Sequence, residues 1–273
     1  MSKKATSWHS PHLGREVDVR RWGEVGTPVL LFPTAAGDAE ECERFLMIDT
    51  LAPMLEAERI KIYSVDSIAG QVWLNEGADA RAAARTQQAF DAFIVEELVP
   101  AIREDCEVEQ GAPLELFVAG SSIGAFNALA AICRHPDLFH RAICMSGTYD
   151  LRKFLQGDPG PEYYAGSPLH FLPDLPEDSE QLALLRARHI LLAHGEGRWE
   201  DPAESWRVAE VLGSRGIPNR VDPWSQDWDH DWPTWREMLP KYLDEFLPAQ
   251  SGDEGGASAA PATSTQAERS PAE

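Results

Sequence analysis

The chain has 273 residues, 43% of them hydrophobic, which is enough to bury a sizeable core in one domain. Its formal net charge of -21 at pH 7 argues against nucleic acid or an anionic membrane as a partner, since both select basic surfaces. No apolar run approaches the roughly 20 residues that span a bilayer, and the charged N-terminus lacks the apolar stretch of a secretory signal.

In chain order, residues 13–22 alternate apolar and polar, as a half-exposed strand does. After a turn at 23–26, residues 27–33 form an apolar strand that runs into Thr34-Ala35-Ala36-Gly37-Asp38, a loop without a bulky side chain. Helical spacing follows over 45–55, then a strand over 59–65 ending at Asp66-Ser67, with Trp73-Leu74-Asn75 in the next loop. Residues 78–105 hold an amphipathic helix with Ala89, Phe90, Phe93, Ile94, Leu98 and Ile102 on one face, kinked or interrupted by Pro100.

The chain is organised around residues 114–130. An apolar strand over 116–119 leads into Gly120-Ser121-Ser122-Ile123-Gly124, and a small-residue helix follows over 125–132. A bare G-x-S-x-G also occurs in ordinary turns around an idle serine. Between a strand and a helix it reads as a nucleophile elbow, with Ser122 at a helix N-terminus that favours developing negative charge. Backbone N–H groups of Ile123 and of the loop at Ala35 are then the oxyanion donors, with Ala35 preferred to Thr34.

Residues 141–147 are the next strand, and His135 and His140 beside it read as capping or surface residues. Residues 148–185, rich in Pro, Gly, Asp and Tyr, read as an irregular excursion over the sheet, where Tyr163, Tyr164 and Phe171 either line a pocket or pack the loop. A strand over 189–195 delivers a loop carrying Glu196, Glu200 and Asp201. A helix over 203–215, a strand near 219–222, a loop over 224–232 holding His230, and a helix over 233–247 complete the domain. Beyond 249 the composition has no large apolar residue, so a disordered tail over 249–273 is expected after a single domain over 1–248. Alternating strands and helices give a mostly parallel sheet covered on both faces, and with the elbow at Ser122 the expected fold is that of an α/β-hydrolase.

A serine needs a base to take its proton and a third group to orient that base. On this fold the order is Ser, acid, His at successive strand ends, and the chain supplies Ser122, an acidic loop and His230. His194 precedes the acids and reads as structural or pocket-lining; Asp229 and Asp231 read as solvated. Six of the nine tryptophans fall between Trp199 and Trp235, either as core or as a wall for an acyl group.

Several stretches resemble the putative-esterase family of α/β-hydrolases, which includes esterase D-like, siderophore and feruloyl esterases and mycolyltransferases. They are Pro28 to Pro33, Asp66-Ser67, Gly120 to Ala125, Arg134 to Phe139, Ser146 to Asp150, Ser167 to Pro173, Gly195 to Glu200 and His230 to Trp235. The resemblance implies that Glu200, the glutamate after a tryptophan, is the triad acid, with Asp201 in reserve. The sequence departs from the pattern at Ser121, often cysteine, and at Gly166, commonly asparagine. The expected activity is serine carboxylic-ester hydrolysis through an acyl-enzyme, with acyl transfer or a non-catalytic binding role as alternatives. The substrate is a small-molecule ester, for which Arg198 is a candidate anion contact. Cys42, Cys106, Cys133 and Cys144 show no metal-ligand spacing, so no metal or cofactor is expected, and a reduced cytoplasmic protein is. Oligomeric state is left open.

Overall fold

Along each central strand, successive side chains go to opposite faces of one sheet, and both faces are buried. Leu30, Phe32, Val118, Ala142 and Leu192 enter one core, while Val29, Leu31, Phe117, Ile143 and Leu191 enter the other. That is why these strands read as continuous apolar runs rather than as alternations. A computed structural model describes residues 2–73, 79–109, 111–155 and 157–247. The eight strands are β1 (Lys3–Ser10), β2 (Arg15–Trp22), β3 (Thr27–Phe32), β4 (Ile60–Val65), β5 (Leu116–Ser121), β6 (Phe139–Met145), β7 (His189–His194) and β8 (Asn219–Pro223). Their order is β1-β2-β4-β3-β5-β6-β7-β8. Strand β2 is antiparallel to both β1 and β4, and every later pairing is parallel.

Helices cover the two faces. Between β3 and β4 lie α1 (Glu41–Arg44) and α2 (Met47–Glu56), then α3 (Ile68–Trp73), α4 (Ala80–Phe93) and α5 (Val99–Asp105) before β5. After β5 come α6 (Ile123–Arg134), α7 (Pro161–Gly166), α8 (Pro168–Phe171) and α9 (Glu180–Leu185), with α10 (Pro202–Ser214) before β8 and α11 (Trp232–Phe246) last. The face bearing α2 and α11 packs Met47, Leu51, Trp235, Met238 and Leu243 on the sheet. The other face carries α4, α5, α6 and α10.

The structure adds one strand and corrects three expectations. Strand β1 escapes a periodicity reading because it is a nearly fully exposed edge, with only Ser10 buried, and its Lys3 and Lys4 are residues that blunt edges. Trp73 does not sit in a loop: it is the buried last residue of α3, while Leu74 and Asn75 lie outside the described residues. Pro100 does not break the long helix at its own position. A π-helical stretch, Ile94–Leu98, precedes α5 and absorbs the clash its ring makes with the preceding turn. The excursion is not irregular; it contains α7, α8, α9 and two short 3-10 segments, each too short to show a 3.6-residue period. The disordered tail expected over 249–273 lies outside the described residues.

Candidate active site

Five consecutive strands in the sheet, β3, β5, β6, β7 and β8, end on the same rim, and each hands one group to it. Strand β5 hands over Ser122. Its backbone is held at φ 57°, ψ -122°, in a region that costs a non-glycine residue strain. The strain is held in place from both sides: the Ser122 N–H donates to the Met145 carbonyl at 3.0 Å, and its carbonyl accepts from Ala125 at 3.1 Å and Thr148 at 3.3 Å. The two glycines of the motif are steric requirements. A Cβ at 120 would come within 2.3 Å of the Gly124 backbone, and one at 124 within 2.5 Å of the Phe32 carbonyl oxygen, so helix α6 could not approach the sheet. Ser122 is partly accessible.

Strands β7 and β8 hand over Glu200 and His230 on loops that are fastened to each other. Gly197 N–H donates to the Trp228 carbonyl at 3.0 Å, and His230 N–H to the Arg198 carbonyl at 3.0 Å. Asp229 receives the Arg198 N–H at 2.7 Å and its Nε at 2.8 Å. Asp229 is therefore a clasp between loops rather than a solvated residue, and Arg198 is bound to it while its side chain stays 75% exposed. The approach is so close that a Cβ at Gly195 would lie 2.0 Å from the Trp228 carbonyl oxygen. The clasp places His230 Nδ1 3.6 Å from Glu200 Oε2. That is an ion-pair spacing, longer than a hydrogen bond, of the kind that tightens when substrate arrives.

Of the three acids in this loop, Glu196 and Asp201 are exposed, whereas the Glu200 side chain is 1% exposed. Its other oxygen, Oε1, accepts from Ser146 Oγ at 2.5 Å. Ser146 stands just past β6, also at positive φ, 47°, and its Oγ in turn accepts from Trp235 Nε1 at 2.9 Å. The Trp235 ring meets the His230 ring edge-on at 5.3 Å. Trp235, Ser146, Glu200 and His230 thus form one connected set. Ser146 went unnoticed as a functional residue in the sequence, although it opens the Ser-Gly-x-Tyr-Asp stretch; its signal was a polar residue ending a buried apolar strand.

Strand β3 hands over the loop 33–37. Thr34 N–H is taken by Glu41 Oε2 at 2.7 Å, which removes it as a donor, while the N–H of Ala35 has no hydrogen-bond partner among the described residues. At the first turn of α6 the Ile123 N–H is one of the donors a helix leaves unpaired. His194 is buried with Nδ1 2.9 Å from the Gly195 carbonyl oxygen and belongs to the sheet end.

The excursion is tied to the rim by acids the sequence did not single out. Buried Glu204, on α10, accepts from the backbone N–H groups of Tyr149 at 2.7 Å and Asp150 at 3.1 Å. Tyr163 is buried against Trp73 and His170, so it packs the loop; Tyr164 is 39% exposed. A cavity of about 920 Å³ lies elsewhere, between β1, β2, β4 and α5. There Lys4, Arg21 and Lys61 all converge on Asp105, and none of the groups above lies among its lining residues. Among the described residues no group of His, Cys, Asp or Glu could hold a metal ion, and no helix is long and apolar enough to cross a membrane.

The family model described as Putative esterase matches residues 67–246, about two thirds of the chain. The chain belongs to this family. The esterase has its fold in common with many solved structures. A ferulic acid esterase superposes with a TM-score of 0.69 at 16% identity, over 89% of this chain and 96% of its own. An S-formylglutathione hydrolase from Agrobacterium tumefaciens gives 0.65 at 14% identity, over 90% and 95%. The fluorophosphonate-binding serine hydrolase FphF of Staphylococcus aureus gives 0.62 at 14% identity, over 89% and 97%. A search of curated proteins finds no match. The chain is thus a member of an esterase family, built on the α/β-hydrolase fold.

Proposed function

We propose that the esterase cleaves its substrate through an acyl-enzyme on Ser122, with His230 as general base and then general acid, and Glu200 orienting His230. The observation that carries this reading is the fastened pair of loops that brings the Glu200 carboxylate to His230 Nδ1 at 3.6 Å, on the rim where Ser122 is held at φ 57°. With Nδ1 facing Glu200, Nε2 is the nitrogen left to take the Ser122 proton. The hydroxyl oxygen attacks the ester carbonyl, and the negative charge formed there is met by the N–H groups of Ile123 and Ala35. His230 passes its proton to the leaving alcohol, the tetrahedral species collapses to the acyl-enzyme, and water repeats the sequence in reverse roles. An acceptor alcohol could replace that water, which makes acyl transfer the reaction to look for in product analysis.

The substrate is a small neutral ester. Arg198, the nearest guanidinium in the loop, is bound to Asp229, and a chain of net charge -21 repels anions. The four free cysteines fit a reducing, cytoplasmic setting. A fluorophosphonate probe tests the reading. Wild-type protein is expected to be labelled covalently and Ser122→Ala not at all, with kcat for a p-nitrophenyl ester reduced by about 10⁶. Labelling that persists in Ser122→Ala, or is absent from folded wild type, overturns it.

A further inference from the structure

The carboxylate of Glu41 has no place in the reaction described above, yet it is among the most buried acids of the chain, 5% exposed. Burial raises its pKa above the usual carboxylate range, against the pull of the Thr34 hydrogen bonds. A group so costly to bury is kept by what it binds, and here both oxygens bind one residue. Oε2 accepts the Thr34 N–H at 2.7 Å and Oε1 accepts the Thr34 hydroxyl at 2.6 Å. On the far side of Thr34 the carbonyl accepts from Gly37 N–H at 3.1 Å. That carbonyl belongs to the same peptide unit as the Ala35 N–H. In a trans peptide the two point in opposite directions, so holding the carbonyl toward Gly37 aims the N–H away from the loop interior. The peptide on the other side of Thr34 is held by Glu41. Glycine at 37 makes room for this, since a Cβ there would lie 2.3 Å from Glu41 Oε2.

We propose that Glu41 is the positioning residue of the oxyanion hole: by binding Thr34 at two points it fixes the direction in which Ala35 presents its N–H to the substrate oxygen. The inference rests on the reading of Ser122 as nucleophile. Glu41 touches neither substrate nor the reacting atoms. It acts by sparing the loop the reorganisation that a flexible donor would undergo as the oxyanion forms.

The test compares wild type, Glu41→Leu and Thr34→Val, all in the full chain, by ester hydrolysis and by inhibition with a trifluoromethyl ketone, which adds to Ser122 and places its oxyanion in the hole. In Glu41→Leu both bonds to Thr34 are lost at similar side-chain volume, whereas a glutamine could keep them by turning its NH2 toward the Thr34 hydroxyl. The expected result is a kcat lower by about 10- to 100-fold, below the 10²–10³ for outright loss of a donor, with KM within about twofold. The ketone should weaken by the same factor as kcat/KM. Thr34→Val removes only the hydroxyl bond and should fall between. A purely structural role would lower the melting temperature without making ketone affinity track kcat, and that result overturns the proposal, as does an unchanged kcat in folded Glu41→Leu. Should Glu41→Leu fail to fold, Thr34→Val decides alone: unchanged ketone affinity there overturns the proposal. Wild type that neither hydrolyses esters nor takes the fluorophosphonate probe refutes the Ser122 reading instead, and so separates the two failures.

Discussion

Ser146 links two groups with one hydroxyl: it donates to Glu200 and accepts from the Trp235 indole. Replacing it with alanine leaves a buried N–H without an acceptor and frees one carboxylate oxygen of Glu200. The first effect costs about 1–3 kcal/mol of stability. The second lets the carboxylate turn, so Ser146→Ala should lower kcat by roughly 10-fold or more, in the manner of a disturbed supporting partner, with KM little changed. Steady-state kinetics beside a thermal melt measures both, and an unaltered kcat would show that Glu200 is held by other contacts. At this scale Ser122 and His230 were legible in the sequence as candidates, because a serine between strand and helix and a histidine after a later strand supply a nucleophile and a base. Glu200 and Asp201 are neighbouring acids of the same charge, and residue type does not separate them. Burial does, since one side chain turns under the rim and the other is exposed at the start of α10.

The segment between β6 and β7 behaves as an element held by its charges. Asp150 accepts from the Arg152 guanidinium at 2.6 and 2.8 Å and from its backbone N–H at 3.2 Å. These bonds, those from the Arg152 side chain foremost, pull its pKa from 3.8 down to about 2. The folded-state pKa is the lower one, so the stabilisation is complete above the unfolded value near 3.8 and is lost as pH falls toward 2. Asp150→Asn should therefore lower the urea midpoint at pH 7, by on the order of 1–3 kcal/mol in free energy, and the gap should narrow steadily as pH falls from about 4 through about 2. A gap independent of pH would mean that the carboxylate charge is not what anchors the segment. The helices here, α7 to α9, were illegible in the sequence for a related reason. At four to six residues they are stabilised by docking and by such bonds rather than by an amphipathic repeat.

Over the whole molecule, acidic residues number 45 against 24 lysines and arginines. The ion pairs on the surface are mostly exposed, and pairs of that kind contribute about 0–1 kcal/mol each. Self-repulsion of a charge of -21 acts on every acid at once and opposes the compact state. Salt screens both, but the repulsion is the larger sum. Raising sodium chloride from about 20 mM, where the Debye length is a few tens of ångströms, to about 0.3 M, where it is well under 10 Å, should raise the melting temperature by a few degrees. A scan at fixed protein concentration and pH 7 checks this; a fall would mean that the ion pairs dominate.

What the amino-acid sequence determined by itself was local or periodic in origin. Apolar runs doubly buried between helices defined the parallel sheet, the glycines flanking Ser122 defined the elbow, and the order of serine, acids and histidine defined the candidate triad. The tertiary structure alone decided which acid faces His230, that Asp229 fastens two loops, and that Ser146 joins Glu200 to Trp235. Those outcomes depend on contacts between segments distant in the chain and on which side chain of two like neighbours is withdrawn from water. Neither is written in the spacing of residues along one strand or helix.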